Sequence, residues 1–197
     1  MLVFLDDILI YSPTLDDHMV HLQEVFELLR QNQLYLKESK CSFAQPNLSY
    51  LGHIISSTGV STNPSKIQNM QKWPVPTSVT ELRGFLGLTG YYRRFIKGYG
   101  LITKPLNSLL NKKAFQWSSF DKVKMAMTQT PVLALPNFQE PFVIETDACQ
   151  DGVGAVLMQH GKPVAYLSKA LSGRNKNISI YEKEFLALIM AVEKWRH

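Results

Sequence analysis

The stretch VFLDDILIYS, residues 3–12, sets two adjacent carboxylates, Asp6 and Asp7, between two runs of apolar, strand-forming residues. Val, Phe, Ile and Tyr favour strands and Asp favours turns, so the stretch reads as two short strands around a tight turn at Asp6 and Asp7. Two like charges in apolar surroundings repel each other and resist leaving water unless a cation compensates. A hard divalent cation such as Mg²⁺ suits paired carboxylates on a rigid hairpin, and such a pairing serves metal-assisted phosphoryl transfer. An ordinary solvated hairpin tip is the competing reading and, for an Asp-Asp turn taken alone, the commoner one.

Outward from this hairpin, Thr14 and Asp17 form a helix-start signal, and Leu22, Val25, Phe26 and Leu29 recur at helical spacing. Together they predict a helix over Leu15–Gln31. LSYLGHIISSTGVS reads as a pair of strands with a turn near Thr58 and Gly59. Asn63 and Pro64 start a second helix, which Pro74 and Pro76 stop. Ser78 and Glu81 make a capping box for a third, TELRGFLGLTGYYRRFI, which Gly84, Gly87 and Gly90 interrupt. A glycine costs a helix about 1 kcal/mol relative to alanine, so three at this spacing point to close backbone approach, by another helix or by a ligand. Residues 100–118 hold a further helix and a loop, and FDKVKMAMTQ is a short amphipathic helix. The prolines of TPVLALPNFQEPF mark a linker. Beyond it come three strands with turns at Asp151-Gly152 and Gly161-Lys162. A last helix, capped by Ser179 and Glu182, carries the apolar stripe Tyr181, Phe185, Leu188, Ile189 and Val192.

This β-β-β-α run holds a second acidic pair. Asp147 ends a strand, and at about 100° per residue Glu184 lies about 40° from Leu188, whereas Glu193 points about 180° away from Glu184. Glu184 is thus turned toward the expected core, where an acid needs a partner or a task. Asp147 and Glu184 form a candidate metal pair, with a hydrogen-bonded structural glutamate as the alternative. His18 and His21, three apart on a helix, lack a third ligand within sequence reach. Trp73, Tyr91, Tyr92 and Trp117 are candidates for stacking on bases. Core packing is the simpler account of all but Tyr91 and Tyr92, which precede Arg93 and Arg94.

At 197 residues and 45% hydrophobic content, the chain can bury one large or two small cores. Cys41 and Cys149 are far apart and outside any CxxC spacing. That argues against a disulfide framework or a cysteine zinc site and for a reducing, intracellular setting. With no basic leader and no run of roughly 18 apolar residues, no targeting or membrane segment is expected. The formal charge is +5, and from Glu81 to Lys124 nine basic residues stand against two acidic ones. Beside the acidic first 60 residues, this reads as a phosphate-binding surface next to a metal-centred site, or more plainly as a solvated helix face.

Taken in order, VFLDDILIYS, HLQEVFELLR, KCSF, YLGHIIS, LRGFLGLTGYYRRFI, TPVLALPNF, ETDA, GAVLMQ and YEKEFLAL resemble the pol polyprotein of gypsy-type LTR retrotransposons. The resemblance covers essentially the whole chain and implies an α/β (α+β) fold. The C-terminal part of a reverse transcriptase palm, with the primer-grip hairpin, is expected over 1–76. Thumb and connection follow over 77–130, and the N-terminal part of a ribonuclease H-like unit over 131–197. Phe4-Leu5-Asp6-Asp7 is similar to the family's aromatic-x-Asp-Asp motif, which implies Asp6 and Asp7 as catalytic ligands of Mg²⁺ or Mn²⁺. Asp147 and Glu184 match the first and second acids of the ribonuclease H site. Leu51, Gly52 and His53 resemble the hairpin that grips the primer end, and the helix with Gly87 and Tyr91 resembles the thumb helix that tracks the minor groove. Nucleic-acid contacts are thus expected at Phe4, Leu51, Gly52, His53, Gly87, Tyr91, Arg93 and Arg94.

The implied partners are an RNA/DNA hybrid or primer–template and the remaining polyprotein segments. The family needs a third palm aspartate, the fingers and two later ribonuclease H acids, none of which the chain matches. WSSFDKVKMAM is also several residues shorter than the family's usual helix. The resemblance therefore implies a fragment of an RNA-directed DNA polymerase with ribonuclease H, using two-metal phosphoryl transfer in the parent polyprotein and inactive alone. A non-catalytic nucleic-acid-binding remnant, or the product of a decayed gene, is the alternative.

Overall fold

The computed structural model describes residues 1–110 and 118–196; Lys112, Lys113 and Trp117 lie outside the described residues. Strands β1 (Leu2–Phe4) and β2 (Asp7–Leu9) pair antiparallel with Phe4 opposite Asp7. The turn is therefore Leu5-Asp6 rather than Asp6-Asp7: Leu5 takes a left-handed φ of 52°, and Asp7 already belongs to β2. Residues 1–7 are all exposed, so the acids stand in solvent rather than in the apolar surroundings the composition suggests. Three-residue strands are too short to shield their turn from water, and burial begins only at Leu9, at the far end of β2. Thr14 caps α1 (Leu15–Gln31), its hydroxyl oxygen accepting the Asp17 N–H at 3.1 Å.

The segment expected to be one pair of strands is a meander of three: β3 (Asn47–Tyr50), β4 (His53–Ser56) and β5 (Gly59–Thr62). The additional turn is Leu51-Gly52, whose φ values of 47° and 76° match the type I′ loop that joins twisted antiparallel strands. Asn63 caps α2 (Pro64–Gln71) as expected. Ser78 caps α3 (Val79–Tyr91), but the Glu81 carboxylate accepts from the Thr77 N–H at 2.7 Å, so the box closes one residue early. Helix α3 ends at Tyr91, and Arg93–Phe95 form a separate 3₁₀ turn, so Arg93 and Arg94 stand beyond the helix that was expected to carry them. The break lets Tyr92 and Phe95 swing inward, where both are buried. Helix α4 (Tyr99–Leu109) and α5 (Ser118–Thr128) complete a core around Met70, Leu82, Phe85, Leu106, Phe120 and Met127.

The proline-rich stretch after Pro131 is not a loose tether. Leu133 is buried in that same core and exchanges both backbone hydrogen bonds with Val60 of β5, each 2.8 Å long. Its carbonyl passes so close to Gly59 that a Cβ there would lie 2.1 Å from the oxygen, and Gly59 itself has a φ of 137°. One residue on, the Ala134 N–H donates to Pro163 of the following sheet at 2.8 Å.

That sheet has the order β6 (Val143–Cys149), β7 (Gly152–Gln159), β8 (Lys162–Ala170), all antiparallel, with turns one residue earlier than expected. Helix α4 lies against β8, and α6 (Ile180–Trp195) against β6 and β7. Ser179 and Glu182 form the complete capping box. The buried side of α6 is Lys183, Ala187 and Ala191, whereas Tyr181, Phe185, Leu188, Ile189 and Val192 face outward, uncovered among the described residues. The expected inward stripe is thus reversed. Alanines let the helix backbone approach the sheet closely, and Lys183 reaches past them to donate to the Gln150 carbonyl at 3.3 Å.

Candidate nucleic-acid interface

The Leu51-Gly52 turn and the end of α3 form one constellation. Tyr91 Oη donates to the Leu51 carbonyl at 2.5 Å, and Tyr92 Oη to the Gly52 carbonyl at 2.8 Å. His53 packs between them, its ring stacked on Tyr91 at 5.2 Å and edge-on to Tyr92 at 5.4 Å. His53 is 8% exposed, so it is a filler behind the surface rather than part of it, and its Nδ1 has no hydrogen-bond partner among the described residues. Burial first, and the Arg94 guanidinium second, push its pKa from 6.5 down to about 4. Tyr92 is buried and Tyr91 half-exposed; burial also raises the pKa of the Tyr92 phenol. Tyr92, expected with Tyr91 to stack on bases, is instead buried, and its hydroxyl serves the Gly52 carbonyl.

Beside the turn, Tyr50 Oη reaches the Asp7 carbonyl at 3.4 Å, which links β3 to the acidic hairpin. On the other side, Gly87 and Tyr91 share one exposed face of α3. Among the described residues a Cβ at Gly87 would meet nothing within 4 Å, so their packing does not demand glycine there; at Gly84 and Gly90 the neighbours are ordinary van der Waals contacts with Trp73 and Tyr99. Phe4 is exposed on β1. Of the basic cluster, Arg83, Arg93, Arg94 and Lys97 are exposed around α3 and its end, with Arg94 over the Phe95 ring at 5.2 Å. Lys104 and Lys124 have other tasks: the first pairs with Asp151 at 2.9 Å, the second donates to the Trp73 carbonyl at 2.6 Å.

Asp147 and Glu184 stand on two elements, β6 and α6, that meet near the β6–β7 turn. Gln150, which accepts from Lys183, follows Asp147 by three residues, and Lys183 immediately precedes Glu184. Both acids are exposed, so the expected inward turn of Glu184 is not found. Register puts Asp147 opposite Gly154 and on the face shared with Gly152, against which Leu101 of α4 packs, whereas α6 lies on the Ala148–Val153 face. No group of three His, Cys, Asp or Glu side chains able to hold a metal occurs among the described residues. His18 and His21 instead converge on one hydroxyl, Ser12 Oγ, at 3.2 and 2.7 Å from their Nδ1 atoms.

Two family models match. Residues 1–55 fit "Reverse transcriptase (RNA-dependent DNA polymerase)", and residues 114–197 fit "RNase H-like domain found in reverse transcriptase". The chain is 41% identical over its whole length to the retrovirus-related Pol polyprotein from transposon 297 of Drosophila melanogaster, covering 19% of that protein. To the Pol polyprotein from transposon gypsy of the same organism it is 32% identical over 98% of the chain and 20% of the relative. An uncharacterized mitochondrial protein of Arabidopsis thaliana is 51% identical over 64% of the chain and 84% of its own length. The chain thus spans about a fifth of the Pol polyproteins it matches. In fold it is similar to the foamy viral protease-reverse transcriptase in complex with RNA/DNA hybrid, with a TM-score of 0.86 and 22% identity over 93% of this chain and 26% of the other. Sequence and fold agree, and the chain belongs to the reverse transcriptase and ribonuclease H family of retrotransposon Pol polyproteins.

Proposed function

We propose that the chain is the primer-grip, thumb and first ribonuclease H segment of an RNA-directed DNA polymerase, and that its own task is to hold a primer–template or RNA/DNA hybrid. The observation that carries this reading is the continuity of one surface, exposed at its ends and half-buried at Tyr50, Leu51 and Gly52. It runs from the Asp6-Asp7 hairpin through Tyr50 and the Leu51-Gly52 turn to Tyr91 and Gly87, flanked by Arg83, Arg93, Arg94 and Lys97. Gly87 leaves the helix backbone open to a sugar–phosphate chain, and the basic residues supply the counter-charge. That structures of similar fold hold an RNA/DNA hybrid or double-stranded DNA supports the same reading. The division into 1–76, 77–130 and 131–197 follows from it, with Leu133 crossing the last boundary.

Asp6 with Asp7, and Asp147 with Glu184, are exposed carboxylates whose donor chemistry fits Mg²⁺ or Mn²⁺. Such ions, when bound, neutralise charge and activate the attacking oxygen in phosphoryl transfer. Within this chain, Phe4 and Asp7 sit opposite one another in the β1–β2 register, which fixes the hairpin that offers both aspartates. Each centre draws two acids from this chain, and we infer that acids from other parts of a polyprotein complete them. Alone, the chain extends no primer and cuts no hybrid.

The test is hybrid binding by fluorescence anisotropy as a function of salt. Affinity falls with added salt, and Arg93→Ala with Arg94→Ala lowers the log–log slope by about 2, since each neutralised phosphate contributes about 0.9. Asp6→Asn leaves affinity unchanged. Absence of salt-dependent binding refutes the reading. Primer extension or hybrid cleavage in Mg²⁺ that Asp6→Asn or Glu184→Gln abolishes refutes the inactivity.

A further inference from the structure

We propose that Tyr92, together with Tyr91 and His53, is a positioning element that sets the Leu51-Gly52 turn from α3, so that the turn's presentation to a primer end is governed by the helix. The inference rests on reading this surface as a primer–template grip.

Five observations converge. Leu51 holds a left-handed φ of 47° without being glycine, asparagine or aspartate, a conformation uncommon for a leucine and one that external hydrogen bonds to the turn would favour. Both turn carbonyls accept hydrogen bonds from phenols some 40 residues away, one from the last residue of α3 and one from the residue after it. Consecutive helical residues diverge by about 100°, so two neighbouring tyrosines reach one turn only because the helix stops between them. Tyr92 leaves the helix with φ −92° and ψ 7°, and the two rings meet at 87°. Position 52 is closed from the same side, since a Cβ there would come within 3.1 Å of Tyr92 Oη. His53 fills the angle between the rings, also stacking on Phe95 of the 3₁₀ turn.

The two tyrosines divide the work. Tyr92, buried, holds the turn from below, whereas Tyr91, half-exposed, holds it and also forms part of the surface that meets nucleic acid. Movement of the α3 end therefore moves the turn with it.

The variants Tyr92→Phe and Tyr91→Phe/Tyr92→Phe keep the rings and remove only the hydroxyls. A primer–template with 4-thiothymidine at successive primer positions is photocrosslinked to the chain, and the peptide holding residues 51–53 is read by mass spectrometry. In the wild type, crosslinks concentrate within about two nucleotides of the primer end; in Tyr92→Phe, whose buried ring does not meet nucleic acid, they spread or vanish while affinity stays within about twofold. An unchanged crosslink pattern overturns the proposal. If the wild type binds no primer–template, the functional reading falls, and hydrogen exchange at the Leu51, Gly52 and His53 amides decides the anchoring. Exchange at least tenfold faster in the double variant upholds it, and equal exchange overturns it.

Discussion

Replacing His53 by asparagine should abolish a defined part of the stability that the chain loses between pH 7 and pH 5. The imidazole is a base whose pKa is 6.5 when free and about 4 in the folded chain, because burial disfavours its charged form and Arg94 adds to the effect. The folded state thus binds this proton less readily than the unfolded state, so the contribution to stability is fully present above pH 6.5 and is lost as pH falls toward 4. At its limit the gap corresponds to about 3 kcal/mol. At pH 5 the unfolded imidazole is almost wholly protonated and the folded one hardly at all, so the loss is about 2 kcal/mol, or about a thirtyfold rise in the unfolded population. Urea unfolding at both pH values and one ionic strength measures it. The asparagine variant can be less stable throughout, but it should lose about 2 kcal/mol less between pH 7 and pH 5 than the wild type. Equal losses in the two proteins would refute the buried, neutral histidine.

Gly87→Ala should raise helix stability by about 0.5–1 kcal/mol, since nothing crowds the new methyl, yet weaken hybrid binding if nucleic acid lies on that backbone. Thermal unfolding and anisotropy on the same variant report the two effects separately. Gly59→Ala should cost more than about 2 kcal/mol, because both its φ of 137° and the Leu133 carbonyl oppose a side chain; urea midpoints will show it. Ser179→Ala should cost about 1 kcal/mol by opening the capping box of α6, seen as a lower unfolding midpoint.

What was legible in the amino-acid sequence is what local chemistry decides. Thr14, Asn63 and Ser179 marked their helix starts because a cap is settled within three residues. Strand patterning missed the Leu51-Gly52 turn because leucine carries no turn signal, although the family resemblance put a hairpin there; both of its carbonyls are held by tyrosines at 91 and 92. Helix α6 is apolar on two sides, and periodicity selected the side with larger residues, while contact with the sheet selected the alanines. Asp6 and Asp7 were singled out by their motif, but the argument from desolvation failed, since burial depends on neighbours that a hairpin does not reveal. Gly87, Tyr91, Arg93 and Arg94 were named as contacts and are exposed, whereas His53, named with them, lies underneath.

The path of Leu133 bears on how pieces of such polyproteins can be exchanged. A proline-rich stretch between two folded units invites cutting and rejoining, whether by recombination or by design. Here a crossover at Pro131 would carry away the side chain that seals the preceding core and the backbone that pairs with Val60, leaving a hole on one partner and an orphaned apolar residue on the other. Successful chimaeras should therefore either keep residues 131–134 with the upstream unit or inherit both sides of that contact from one parent.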